Sequence, residues 1–279
     1  MNDFLSHPAR LSLHHLTVLD ASATELIAIA GELGCDHVCL FTHVPDAIAQ
    51  LFPCVREADV AEISSALRQA GVTLCNLEVF SLDADPDWAG FERSLAVGQA
   101  LGASRATVHI HDIDDRQGAA MLARFCDMAA GFSITAGLEF NGLSAVRTLP
   151  QAAAILAAAD RPNASMVCDM LHLIRNGCTP AEMAAERDRI GYLQMCDGPL
   201  ERPQSEVWHE AIRERGVPGT GQFPIAAALA TLRSDTIIDV EVPQHAARKA
   251  GEPPLDRARR AVEATRRLVA AHMPQEAAR

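Results

Sequence analysis

The chain has 279 residues, with 24 lysines and arginines against 36 aspartates and glutamates, giving a formal net charge of −12. Hydrophobic residues make up 49 %, which excludes a disordered chain and suffices for the core of one large α/β domain or two smaller ones. The acidic excess argues against a nucleic-acid or anionic-membrane partner, because phosphate surfaces need a basic footprint.

The chain opens on MNDFLSHPARL, which carries acid early and has no long apolar stretch, so no signal peptide is expected. LSLHHLTV (11–18) is predicted as the first strand, and TELIAIAGELG (24–34) follows with apolar spacing near 3.6. The alternation then repeats. Strands are predicted at DHVCLFTH (36–43), VTLCNLEVF (72–80), RATVHIHD (105–112) and TAGLEFNG (135–142). Helices are predicted between and after them, at 60–71, 88–102, 118–131 and 151–160. The strands ASMVCDMLH (164–172), IGYLQMCDG (190–198) and TIIDVEVP (236–243) follow, with helices at 180–190, 223–233 and 255–272. Most strand runs are near-continuously apolar, as in parallel strands buried on both faces. Gly34, Gly71, Gly102 and Gly131 end helical stretches, at the position where a left-handed backbone is cheap for glycine.

Eight strands alternating with eight helices fit one closed (β/α)8 TIM barrel, read as a single domain over residues 1–279. A doubly wound open sheet would need a glycine-rich phosphate turn after the first strand, and none is there. No run approaches eighteen uninterrupted apolar residues, so no membrane span is expected. The cysteines at 35, 39, 54, 75, 126, 168, 178 and 196 form no CxxC pair. They read as buried free thiols in a cytoplasmic protein rather than as disulfides or a structural zinc site.

Barrel active sites are built at the C-terminal ends of strands. The polar residues there are Glu78, His109, His111, Glu139, Asp169, His172, Gln194, Asp197 and Glu241. A carboxylate in a Leu/Val/Ile strand is expensive to bury unpaired. Each could cap the next helix or pair with an arginine. Glu139, Asp169, Gln194 and Glu241, at corresponding positions of successive units, instead predict convergence on one point. Three carboxylates there call for a cation, and oxygen ligands select Mg2+ or Mn2+, with Co2+ or Zn2+ as alternatives. His14 and His15 are adjacent, point oppositely and read as structural. The only lysine, Lys249, falls in a polar loop, which disfavours a Schiff base.

LGASRATVHI, GLEFN, VCDMLHLIRNG, IGYLQMCDG, DVEVP and the glycine-rich GVPGTGQFP (216–224) together resemble the sugar phosphate isomerase/epimerase family of xylose isomerase-like TIM barrels. The resemblance covers nearly the whole chain. It implies Glu139, Asp169, Gln194 and Glu241 as metal ligands, although Gln194 stands where many members carry histidine and Cys196 where they carry lysine. It implies Glu139 and Glu241 as a base/acid pair, assisted by His172. The substrate is then a small hydroxy-carbonyl compound, isomerised or epimerised through a metal-stabilised enediolate. His109, His111, Glu78, Arg215 and Trp208 are expected at the substrate, Arg215 as a clamp for an anionic group and Trp208 with His209 as a lid. A dehydratase or lyase of the 3-dehydroshikimate dehydratase type is the rival within enzymes. A non-catalytic ligand-binding barrel is the rival outside them. A DNA phosphodiesterase of the endonuclease IV kind is opposed by Gln194 and by the net charge. A homo-oligomer is left open.

Overall fold

The computed structural model describes residues 10–274. Eight parallel strands close into a barrel: β1 Leu11–His14, β2 His37–Phe41, β3 Thr73–Leu82, β4 Arg105–Ile110, β5 Thr135–Glu139, β6 Ala164–Asp169, β7 Ile190–Met195 and β8 Ile237–Val240. β8 pairs with β1 to complete the ring. Helices follow the strands and cover the outside, as the alternation of periods predicts. The fifth βα unit shows the local logic. Thr148 caps Leu149–Ala159 by accepting from Gln151 N–H, and Pro150 sits in its first turn, where no intrahelical donor is needed.

Strand side chains alternate between two environments. Leu13, Val38, Leu40, Leu74, Leu77, Val108 and Leu138 point outward and join the main core beneath the helices. The barrel interior is a smaller, partly polar space in which Cys75, Val167, Tyr192 and Ile237 form a separate apolar cluster. Gly137 keeps this interior passable, because a Cβ there would meet Val167 Cγ2 at 2.7 Å.

The predicted elements are all present, and their ends differ in instructive ways. The first predicted strand stops at His14, and His15–Val18 turn into a buried 3-10 helix. ASMVCDMLH divides at Asp169, which ends β6 and caps the helix Met170–Arg175. Gly71 and Gly102 are left-handed helix stops, with φ of 70° and 81°. Gly131 is not: its φ is −61°, and the left-handed turn falls at Ser133. All eight cysteines are free thiols, and all but Cys54 are buried. No helix among the described residues is long and apolar enough to cross a membrane.

Candidate active site

Register brings the strand-end polar residues to one rim. Asp169 lies opposite Gln194, and Gln194 opposite Asp239. Period-two alternation then puts Asp239 and Glu241 on one inward face, as it does Ser12 and His14. Glu78 reaches the same rim from β3, where a register irregularity follows Leu77.

These residues form a nearly continuous polar circuit. His109 Nε2 lies 2.6 Å from Glu139 Oε2. Glu139 Oε1 is 3.7 Å from His172 Nε2, which is 3.9 Å from Asp169 Oδ2. Arg215 Nη1 donates to Asp169 at 2.8 Å and to Glu241 at 3.0 Å. Glu241 is 4.0 Å from His14 Nε2, which is 3.3 Å from Glu78 Oε2. Glu78 accepts from Gln194 Nε2 at 3.0 Å.

Charge compensation is therefore partly built in. Asp169 does what a strand-end carboxylate was expected to do in isolation: it caps the next helix through Leu171 N–H at 2.6 Å and pairs with an arginine. Burial pushes its carboxyl up, but Arg215, His172 and the Leu171 N–H more than offset this and hold it low. Glu241 shows the opposite balance. Burial raises it well above the usual carboxylate range, and Arg215 and His14 reverse this only in part. His172 is lowered by burial against the pull of Asp169 and Glu139, so it is neutral near pH 7. His109 is raised, since Glu139 outweighs the burial that would lower it.

The donor set fits a divalent cation. Glu139, Asp169 and His172 offer ligand atoms within 4.8 Å of one another. Gln194 Oε1 is buried with no hydrogen-bond partner. Its amide orientation follows from the bond that Nε2 gives Glu78, which leaves the carbonyl oxygen as the atom without a donor.

A second cluster, His14, Cys39 and Asp239, is also close enough for a metal, but its chemistry differs. His14 Nδ1 accepts Leu16 N–H at 2.9 Å, which assigns the ring proton to Nε2. Neither nitrogen then has a lone pair to give a metal at that point. His14 caps the following 3-10 turn, the structural role expected from the sequence, and its Nε2 lies at the rim 3.3 Å from Glu78 Oε2 without completing a hydrogen bond.

Asp239 below it was missed by sequence reasoning. Burial raises its carboxyl from 3.8 to about 6. Ser12 and Tyr192 pull it down, yet neither completes a well-formed hydrogen bond to either carboxylate oxygen. A raised carboxyl pKa means that the folded state holds the proton more tightly than the unfolded state. Stability then falls as pH rises between the two values, by about 3 kcal/mol in all. Asp239→Asn is accordingly expected to gain about 1–3 kcal/mol at pH 8 and nothing at pH 4, measured by urea unfolding at both pH values.

A cavity of about 720 Å3 opens over this rim, lined in part by Glu78, His109, His111, His172, Trp208 and Arg215. His111 and Trp208 sit at the mouth, outside the polar circuit. Trp208 is 51 % exposed. His209 does not line the cavity and lies beside His245. Arg215 is buried, with Nη1 shared by two carboxylates and Nε on Ala211 O. In this geometry Nη1 positions Asp169 and Glu241, while Nη2 makes no hydrogen bond among the described residues and Arg215 lines the cavity. Asp197 stands apart from the chemistry. It accepts the N–H groups of Gly198, Gly219, Gly221 and Phe223 and so knots the glycine-rich loop.

The segment carrying Trp208 is pinned at its base. Glu210 is buried and receives Nε and Nη2 of Arg175 at 2.7 and 2.8 Å, and Nε of Arg202 at 3.2 Å. Arg175 also holds Leu200 O and Pro199 O. Arg175→Ala is expected to cost about 3 kcal/mol, because Glu210 loses its bidentate partner inside the fold. It should also open Leu200–Arg213 to limited proteolysis. Denaturant unfolding and digestion timed against the wild type check both.

The comparisons agree with the fold. The family model for xylose isomerase-like TIM barrels matches residues 27–268. The zinc-bound IolI protein superposes with a TM-score of 0.79 at 17 % identity, covering 95 % of this chain and all of that one. D-allulose 3-epimerase from Methylomonas sp. gives 0.70 at 20 % identity, over 93 % and 98 % of the two chains. L-ribulose 3-epimerase gives 0.68 at 15 % identity, over 95 % of each. A search of curated proteins finds no match.

Proposed function

The chain belongs to the xylose isomerase-like TIM barrel family, and on that premise we propose that it is a divalent-metal-dependent isomerase or epimerase of a small hydroxy-carbonyl compound, sugar-like or polyol-derived. The observation that carries this reading is the orphaned Gln194 Oε1 at a rim shared with Glu139, Asp169 and Glu241. Buried acceptors without donors are costly, and a cation among those oxygens removes the cost.

In this reading Glu139, Asp169, Gln194 and Glu241 hold the metal, as Mn2+ or Mg2+, with Co2+ or the Zn2+ of the IolI relative as alternatives. The metal supplies Lewis-acid polarisation of the hydroxy-carbonyl pair. Glu139, held in place by His109 at 2.6 Å, takes the proton from the hydroxyl-bearing carbon next to the carbonyl. Glu241 returns one. His172, neutral, donates to or accepts from a substrate oxygen. His109, His111, Glu78 and Trp208 face the rest of the substrate across the cavity, and Arg215 fixes the spacing of Asp169 and Glu241.

The test is deuterium wash-in. Purified protein with Mn2+ or Mg2+ is incubated in D2O with a panel of ketoses and inososes and followed by NMR. Deuterium at the carbon next to the carbonyl, with product mass otherwise unchanged, is expected. Loss of water would mean elimination, and no exchange with any panel member together with no Mn2+ binding would leave a ligand-binding barrel.

A further inference from the structure

The walls of the cavity constrain its substrate more than the rim does. Seven carboxylates line it, Glu78, Asp83, Asp85, Asp87, Asp112, Glu139 and Glu241, and a single arginine, Arg215. No lysine is present. The Nη1 of Arg215 is already divided between Asp169 and Glu241. A phosphate or carboxylate bound here would find only the remaining Nη2 edge of Arg215 and the rings of His43, His109, His111 and His172, set among seven carboxylates. It would face a mouth of aspartates, and one divalent cation at the strand ends would leave the lining negative.

The opposite wall is apolar. Leu16, Phe41, Val44 and Val79 form a cluster separate from the main core, with Phe52 packed against it. The Phe41 and Phe52 rings are 4.7 Å apart. These five side chains line the cavity, and the half-exposed Trp208 does so too. A contiguous apolar wall in a concave site marks where an apolar part of a ligand is taken out of water. A bare polyhydroxy sugar would leave hydroxyls unpaired against it.

We propose that the substrate of this site is uncharged and carries an apolar ring or chain beside its hydroxy-carbonyl group, seated on the Phe41–Phe52 wall. The hydroxy-carbonyl part of this statement rests on the function proposed above.

Calorimetric titration of the Mn2+-loaded protein separates the possibilities. The probes are 1-hydroxy-3-phenylpropan-2-one, D-fructose and D-fructose 6-phosphate. The phenyl ketol is expected to bind about tenfold or more tighter than fructose, from burial of its ring. Fructose 6-phosphate is expected to bind at least about tenfold more weakly than fructose. Phe52→Ala should weaken the phenyl ketol about fivefold or more and leave fructose within about twofold. Fructose binding as tightly as the ketol overturns the proposal. So does the phosphate binding as tightly as fructose, or Phe52→Ala weakening ketol and fructose alike. Deuterium wash-in is scored separately. Selective ketol binding without exchange removes the catalytic reading and keeps the substrate class. Exchange in fructose without preference for the ketol does the reverse, and no binding by any probe removes both.

Discussion

Replacing Glu139 or Glu241 by glutamine, one at a time, is expected to lower turnover by about a thousandfold or more, within the range that a positioned acid or base contributes. Each change keeps shape and volume but removes a proton acceptor and a charged oxygen. The two variants should not be equivalent. Glu139 is fixed by His109 at 2.6 Å, so Glu139→Gln disturbs the base and the charge that raises His109 together. Glu241 lies between Arg215 and His14, and burial holds its carboxyl high. An amide there mimics the protonated acid in shape, so the folded protein should tolerate it better than Glu139→Gln. Single-turnover rates and metal content, measured beside unfolding curves, separate chemistry from folding. Either variant retaining metal-dependent turnover within about tenfold of wild type would overturn the acid/base pair.

The barrel was legible because its strands are buried on both faces, and short, near-continuous apolar runs set between helical periods are what such strands require. The strand ends were less legible. Residues after His14 and Asp169 remain largely apolar, since HLTV is buried as a 3-10 turn and MLHL as a helix, and composition does not mark where the sheet stops. Within the site, Glu139, Asp169, Gln194 and Glu241 stood out as polar groups in apolar runs. His14 did not, because a second histidine follows it and the pair gives no sign of which one faces inward. Counting forward from Leu13, which packs outward, separates them: His14 falls on the inward face and His15 does not. Asp239 does carry a signal: it precedes Glu241 by two, on the same face. The role of Arg215 had no local signal. Its place depends on chain return, through the backbone pairing of Asp197 with Gly216 and of Glu214 with Gln244, and through Arg215 N–H on Pro243 O.

That return makes Arg215 the position where a single substitution should move stability most. In Arg215→Ala the carboxylates of Asp169 and Glu241 stay buried and lose the cation between them. Breaking such a pair by removing one partner costs about 3–5 kcal/mol, which for a chain of this size is a melting shift on the order of 10 °C. The pH dependence gives the sign. Arg215 is the largest of the influences that hold Asp169 below its ordinary value. A depressed carboxyl contributes stability above its unfolded pKa, and this is lost as pH falls through the lower folded value. The deficit of the variant should therefore be full at pH 7 and shrink below about pH 4, where Asp169 is protonated in either unfolded chain. Adding Mn2+ or Mg2+ supplies a replacement cation. At about a hundredfold over its dissociation constant it should return up to about 2.7 kcal/mol, and a larger melting shift than the same ion gives the wild type would show that arginine and metal neutralise the same pair. Equal stability of variant and wild type in metal-free buffer at pH 7 would mean that the two carboxylates do not depend on Arg215.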